Sequence, residues 1–285
     1  MTTSAAPAPT TSTPARTAAA TTGSALLLRR SRAEEVRGSV FCAHGAGGGC
    51  LFFMPVARRI SGEHDVYGFQ AHGMDHTVAP DTTLAEMAAR YAADLRAADP
   101  VGPYKLLGYS MGGIIAHEVA RILLAQGARV ELVGLLDTLF PAPAVRRPRE
   151  ATLTLCSIAL ALPEQYHAAE GLTWDEQCDR FLAHAQASGS LPQGFDRARL
   201  ERMVDLYDIN QDAVAGHEPA ELPVPLHILL TADGSARHDV DRWKATAAEG
   251  TVVDTIDADH FKLMSEAHAA EVAEIVTRWL SAAAA

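Results

Sequence analysis

The chain has 285 residues, of which 48% are hydrophobic and 21% are charged, and its formal net charge at pH 7 is −11. This length allows one large α/β domain or two small ones, and the composition is ordinary for a soluble globular enzyme. The acidic balance and the lack of a basic stripe argue against a nucleic-acid-binding protein. No apolar run approaches the length of a membrane span, and the N-terminus lacks the apolar core of a signal peptide.

The four cysteines are scattered, with neither a Cys-x-x-Cys pair nor the spacing of Cys and His that binds a metal. This pattern is typical of free thiols in a reducing compartment rather than of a disulfide framework. We therefore expect a cytoplasmic protein that binds no metal ion and no cofactor and that has no membrane or nucleic-acid partner.

Residues 1–24 are almost entirely Thr, Ala, Pro and Ser, and Arg16 is their only charged residue. Such a segment cannot bury enough apolar surface to fold, which predicts a disordered, semi-extended linker. The folded domain is predicted over residues 25–285.

The first chemical feature of the folded part is a glycine-rich loop. Ser39 to Ala43 predicts a short apolar strand, and the loop from His44 to Gly49 follows it. His44 is expected to order this loop rather than to act as a base. The loop lacks the Lys-Ser/Thr ending of a phosphate-binding P-loop, which excludes that mode of nucleotide binding.

The most informative segment is Gly108-Tyr109-Ser110-Met111-Gly112. An apolar strand from Tyr104 precedes it, and helical spacing of apolar residues from Ile114 to Leu124 follows it. A serine on a sharp strand-to-helix turn within Gly-x-Ser-x-Gly is a nucleophile elbow. The glycines are required because a side chain at either position would collide with the neighbouring strand or helix.

Further strands and helices alternate along the rest of the chain. Val130 to Leu136 predicts a strand that ends at Asp137, and Leu226 to Leu230 and Val252 to Ile256 predict two more. A terminal helix is predicted over roughly Ser265 to Leu280. This alternation indicates a mostly parallel, doubly wound α/β sheet, in which the active site lies at the C-terminal ends of the strands.

The interval from Thr138 to Leu222 is 85 residues long, whereas an ordinary βαβ unit needs about 30. Its pattern is mostly helical, with helices expected over Ala151 to Leu162, Trp174 to Ala187 and Arg197 to Tyr207. We interpret residues 145–215, approximately, as a helical lid inserted over the strand ends, which would exclude water and shape an acyl channel.

A serine nucleophile needs a base, and the base needs a partner that fixes its tautomer. Among twelve histidines, His260 is the one that follows the last predicted strand and precedes the terminal helix. The chain order Ser, Asp, His is that of α/β-hydrolases. Two acids remain open at this point: Asp137 after one strand and Asp233 after the next.

The tetrahedral intermediate of acyl transfer needs two N–H donors for its oxyanion. We expect one to be the backbone N–H of Met111, directly after the nucleophile. The second is expected from the glycine loop, at Ala46.

Five motifs together resemble the C-terminal (type I) thioesterase domains of non-ribosomal peptide and polyketide synthases, which have the α/β-hydrolase fold. They are His44-Gly45-Ala46-Gly47-Gly48, Gln70-Ala71-His72-Gly73, Gly108-Tyr109-Ser110-Met111-Gly112-Gly113, Leu135-Leu136-Asp137 and Asp259-His260-Phe261. The resemblance covers about residues 37 to 285. The family pattern usually has proline after the loop histidine, where this chain has Gly45.

This resemblance implies Ser110 as nucleophile, His260 as base and Asp137 as acid, since in type I domains the acid follows the strand after the elbow helix. It also implies a substrate delivered as a thioester on the phosphopantetheine arm of an upstream carrier protein, to which residues 1–24 would be the linker. The product would leave by macrocyclisation to a lactone or lactam, or by hydrolysis.

Three rival functions stay open. A stand-alone type II editing thioesterase would use an acid near Asp233, and a generic serine esterase or lipase would need no carrier protein. A non-catalytic acyl-binding domain would bind without turnover, although an intact Ser/His/Asp set argues against it.

Overall fold

The computed structural model describes residues 21–33, 36–74, 77–159, 171–189, 191, 194–232 and 239–283. Within these residues one eight-stranded sheet forms the centre of the molecule. Its strands are β1 (Thr21–Thr22), β2 (Ala25–Arg29), β3 (Ser39–Ala43), β4 (Asp65–Phe69), β5 (Tyr104–Tyr109), β6 (Val130–Leu136), β7 (Leu226–Thr231) and β8 (Val252–Ile256).

The strand order across the sheet is β1-β2-β4-β3-β5-β6-β7-β8. Strands β4, β3, β5, β6, β7 and β8 pair in parallel, while β1 and β2 add an antiparallel edge. The chain runs from β3 outward to β4 and then returns to β5 on the other side of β3. The order therefore reverses at the β3/β5 pair, which is where open α/β sheets form their binding crevice.

Eight α-helices accompany the sheet in the described part of the chain. They are α1 (Met54–Ala57), α2 (Leu84–Ala98), α3 (Met111–Ala125), α4 (Arg149–Ala159), α5 (Trp174–Ala187), α6 (Arg197–Val214), α7 (Val240–Lys244) and α8 (Ala269–Ala283). Short 3-10 helices span Leu51–Phe53 and His260–Lys262.

Both faces of the sheet are covered by helices. Helices α2 and α3 pack their apolar side chains on one face, with Tyr91 and Ile115 fully buried there. Helices α1 and α8 cover the other face, where Trp279 and Val276 are buried. Parallel strands covered on both faces are mostly apolar, and every residue of β3 and β7 is buried. The predicted doubly wound α/β-hydrolase fold is confirmed.

The insertion between β6 and β7 is also present. Helices α4, α5 and α6 occupy it, and α6 extends to Val214, seven residues beyond the predicted end at Tyr207. These helices bury a small core of their own, which includes Leu153, Phe181 and Leu200. The insertion is thus a separately packed layer that touches the rest of the molecule chiefly through α6.

The predicted linker is wrong at its C-terminal end. Thr21 and Thr22 pair with Leu26 and Ala25 to form the edge hairpin of the sheet. The ordered domain therefore begins before residue 25, because hydrogen bonds to β2 hold a pair of residues that carry no apolar pattern. Residues 1–20 lie outside the described residues.

None of the described helices is both long enough and apolar enough to cross a membrane.

Candidate active site

Ser110 lies between the end of β5 and the first residue of α3, in a backbone conformation with φ 55° and ψ −127°. This sharp reversal lifts the side chain above the C-terminal edge of the sheet. Met111 begins α3, so its N–H has no carbonyl partner within the helix. The predicted elbow geometry is therefore present, with Ser110 at the N-terminus of α3, the positive end of the helix dipole.

The two flanking glycines have no room for a side chain. A Cβ at Gly108 would collide with the carbonyl group of Gly112, and a Cβ at Gly112 would collide with the carbonyl oxygens of Ala43 and His44. The first turn of α3 therefore packs directly against the end of β3. This contact also places the glycine loop beside the serine.

A continuous hydrogen-bond chain joins the three predicted side chains. His260 Nε2 lies 3.1 Å from Ser110 Oγ, and His260 Nδ1 lies 2.7 Å from Asp137 Oδ2. A carboxylate only accepts hydrogen bonds, so the ring proton is on Nδ1 and Nε2 is free to accept from the serine hydroxyl. This arrangement can remove the serine proton and hold it on the imidazole while an acyl group is transferred.

Asp137 is 1% exposed and follows β6 directly. Its Oδ1 accepts a hydrogen bond of 3.0 Å from the backbone N–H of Thr231. Burial alone would raise the pKa of this carboxyl group, but the hydrogen bonds from His260 and Thr231 outweigh it, and the pKa is lowered. The group remains a carboxylate that orients His260. The alternative acid, Asp233, lies outside the described residues.

His44 holds the glycine loop in place through two hydrogen bonds of its ring, as expected. His44 Nδ1 lies 2.7 Å from the carbonyl oxygen of Gly45, and Nε2 lies 2.6 Å from the hydroxyl of Tyr91. The carbonyl can only accept, so Nδ1 carries the proton and the Tyr91 hydroxyl donates to Nε2. Burial lowers the pKa of His44 to about 4, so the neutral form persists.

The predicted oxyanion donors, Ala46 and Met111, lie in two segments that pack against each other, the glycine loop and the first turn of α3. Ala46 is in the turn after His44, and Met111 follows Ser110. The carbonyl of Ala46 accepts a 2.8 Å hydrogen bond from the side-chain amide of Asn210, which lies in α6 and is 1% exposed. The catalytic roles assigned to these residues and to the Ser/His/Asp set stay predictions.

Sequence reasoning missed three residues at this site. Thr231 supports the carboxylate, Asn210 holds the glycine loop, and Tyr109 contacts His260. For these three residues, the position of Tyr109 inside the elbow motif was the one signal that the sequence offered. The contacts of Asn210 and Thr231 bridge 164 and 94 residues of chain, respectively, and no local pattern encodes them.

A cleft of about 580 Å³ lies between the glycine loop and the insertion. Gly47 and Met74 line it on the core side, and α6 with the residues before it lines the other side. Its walls combine apolar side chains such as Met203 and Leu206 with Arg199 and Arg202. Gly47, the residue after Ala46, lines the cleft, whereas Ser110, Asp137 and His260 do not. Among the residues described here, no group of three or more His, Cys, Asp or Glu side chains could hold a metal ion.

Comparisons with known proteins test the family resemblance that the sequence motifs indicated. The Malpinin synthetase of Mortierella alpina is 38% identical over 102 residues, which are 36% of this chain and 1% of that protein. The chain therefore spans only a small part of the length of the curated relatives it matches. A solved four-domain nonribosomal peptide synthetase bound to AMP and glycine matches with a TM-score of 0.77 and 24% identity, over 90% of this chain and 20% of its own.

The NocB thioesterase domain, solved as a covalent complex with a fluorophosphonate nocardicin G analog, matches with a TM-score of 0.65 and 23% identity over 87% of this chain and 96% of its own. At these identities the two solved structures show a shared fold. The family model described as "Thioesterase domain" matches residues 39–280, and the resemblance inferred from the motifs is confirmed. This chain belongs to the thioesterase domain family.

Proposed function

We propose that this domain takes an acyl or peptidyl chain from the phosphopantetheine thioester of a carrier protein onto Ser110 and then releases it. The observation that carries the proposal is the hydrogen-bond chain from Ser110 Oγ through His260 to Asp137. This hydrogen-bond chain lies at the strand ends. The cleft between the glycine loop and the insertion offers room for a long flexible substrate. Similarity to thioesterase domains of peptide synthetases supports the substrate class.

In the first half of the reaction, Ser110 Oγ attacks the thioester carbonyl carbon while its proton moves to His260 Nε2. The oxygen of that carbonyl becomes an oxyanion, which the N–H groups of Ala46 and Met111 stabilise. The C–S bond then breaks, and the departing sulfur takes the proton from His260. An acyl-enzyme ester on Ser110 and a free pantetheine thiol result.

In the second half, His260 removes a proton from the incoming nucleophile, which attacks the ester, and returns that proton to Ser110 Oγ. Water as nucleophile gives a carboxylic acid, whereas a hydroxyl or amine of the chain itself gives a lactone or lactam. The insertion favours cyclisation by holding the chain close to its own ester, which raises the effective concentration of the internal nucleophile.

The cysteines accord with a cytoplasmic setting for such an assembly. All four are buried and unpaired. Burial raises the pKa of Cys156 to about 12 and that of Cys50 to about 11, so the thiols stay protonated and unreactive. The carrier protein is the partner that this function requires.

The proposal is tested by presenting one hydroxyacyl chain in three forms: on a carrier protein, on a free pantetheine thiol, and as an oxygen ester. We expect the highest kcat/KM for the carrier-bound thioester and no turnover by Ser110→Ala. Product masses separate a ring from a free acid, because a ring contains one water fewer. Equal turnover of the oxygen ester, with no gain from the carrier, would instead indicate a generic serine esterase.

A further inference from the structure

The tyrosine inside the elbow motif contacts the predicted base in two independent ways. The hydroxyl of Tyr109 donates a 2.7 Å hydrogen bond to the backbone carbonyl of His260. The rings of the two residues lie face to face, with centroids 5.0 Å apart and planes inclined by 23°. The residue that precedes the serine in sequence thus holds a histidine that is 151 positions away along the chain.

Tyr109 is itself held firmly enough to serve this purpose. It is the last residue of β5, which pairs with β3 on one side and β6 on the other. Phe52 packs its ring against Tyr109 with centroids 5.2 Å apart and an interplanar angle of 61°. The tyrosine ring therefore contacts both the ring of Phe52 and the imidazole of His260.

His260, by contrast, is carried by a weak element. It begins a three-residue 3-10 helix after β8, and its side chain is 23% exposed. A short segment of this kind does not by itself fix a side chain to the precision that proton transfer needs, since catalytic groups must be held within about 0.5 Å. The contacts with Tyr109 supply a restraint on both the backbone and the ring of His260.

We propose that Tyr109 is a positioning residue for His260, and this rests on the function proposed above. The hydrogen bond from the Tyr109 hydroxyl restrains the position of the His260 backbone. The face of the tyrosine ring limits rotation of the imidazole away from Asp137 and Ser110. When His260 takes the serine proton it becomes a cation stacked on an aromatic face, an arrangement that stabilises positive charge. Tyr109 therefore assists most at the moment when the imidazolium forms.

The test compares Tyr109→Phe, which keeps the ring, with Tyr109→Leu, which loses both contacts. We expect Tyr109→Phe to lower kcat about fivefold, the effect of one neutral hydrogen bond. Tyr109→Leu should lower kcat about 100-fold, the scale of a displaced catalytic group. KM for the acyl thioester should stay within about twofold in both variants, because the restraint acts on the base and not on substrate binding.

Tyr104→Phe is the matched control. The Tyr104 hydroxyl donates a 2.9 Å hydrogen bond to the carbonyl of Asp99 from the same strand, far along β5 from the serine. This variant should match the wild type in kcat, since it removes an equivalent bond that does not involve His260.

A second readout does not depend on turnover. The proton on Nδ1 of His260, in its hydrogen bond to Asp137, should give a downfield NMR signal in protein with labelled histidine. We expect the signal to remain in wild type and Tyr109→Phe and to broaden in Tyr109→Leu.

Three results would overturn the proposal: a kcat for Tyr109→Phe within about twofold of the wild type, a raised KM with unchanged kcat, or an unchanged signal in Tyr109→Leu. The Tyr109→Phe result decides the matter even if Tyr109→Leu fails to fold. A wild-type protein that shows the signal but turns over no thioester would count against the proposed function instead.

Discussion

Ser110 and Asp137 are the two non-glycine residues with positive φ in the described part of the chain, at 55° and 50°. Such conformations cost roughly 1–3 kcal/mol each and persist only where the surroundings enforce them. Here each N–H donates to an adjacent strand: Ser110 to the carbonyl of Leu136 at 2.9 Å, and Asp137 to that of Leu229 at 2.8 Å. Both residues belong to the predicted catalytic set. Their backbone conformations direct the two side chains toward His260, to which each is hydrogen-bonded.

The identity of the acid is a residue-scale prediction. Asp137→Asn keeps the shape and tolerates positive φ, but it removes the negative charge that orients and stabilises protonated His260. We expect kcat for thioester release to fall about 10⁴-fold with little loss of folding. Asp233→Ala, measured beside it, should leave kcat unchanged. Loss of activity in Asp233→Ala with activity retained in the Asp137 variant would identify a type II editing enzyme instead.

At the scale of elements, α6 is the part of the insertion that reaches the active site. Asn210 joins it to the carbonyl of Ala46, and a Cβ at Gly48 would lie 3.0 Å from Leu206 of the same helix. The loop that carries one predicted oxyanion donor is therefore packed against a helix of the insertion. A displacement of α6 would remove the hydrogen bond that holds this loop.

The variant Asn210→Leu tests whether the glycine loop depends on α6 for its position. It leaves the buried carbonyl of Ala46 without a partner, which costs about 1–3 kcal/mol of unfolding free energy. The loosened loop should also lower kcat about tenfold, less than the loss of an oxyanion donor outright. Gln177→Met is the control, because it removes another amide-to-carbonyl bond, to Leu172, within the insertion and away from the loop. Equal kcat in the two variants would show that α6 does not support the loop.

The sequence predicted the elements better than the contacts between them. The strands before Ser110 and Asp137 were predictable because they are short, mostly apolar segments, each interrupted by one charged residue, next to segments with helical periodicity. Strand β2 was missed because Ala25–Arg29 is short and lies between a low-complexity segment and several arginines. The partners of Asn210 and Tyr109 are distant along the chain, so only the assembled sheet and insertion bring them together.

At the scale of the whole molecule, several histidines are buried in the neutral form. Burial lowers the pKa values of His44, His64 and His117 to about 4. In the unfolded chain these groups take up protons near pH 6.5. The unfolded state therefore binds more protons between about pH 6.5 and 4, so the free energy of unfolding falls as the pH is lowered through that window.

His117 offers the test of this pH dependence, since it packs against Trp243 in the core and away from the serine. Replacing it by phenylalanine removes one titrating group and keeps an aromatic ring. The free energy of unfolding, measured with urea at pH 5 and at pH 6, should change with pH by about 1.2 kcal/mol per pH unit less than in the wild type. An unchanged slope would mean that His117 is not held neutral in the folded protein.

Ser110, activated by His260 and Asp137, is the residue that we propose carries the acyl group. The most direct measurement is mass spectrometry of the intact protein and its peptides after treatment with an alkyl fluorophosphonate, which needs no knowledge of the native acyl chain. We predict one phosphonyl adduct, located on the peptide that contains Ser110 and absent from Ser110→Ala. An adduct on another residue, or none on the folded wild-type protein, would contradict it.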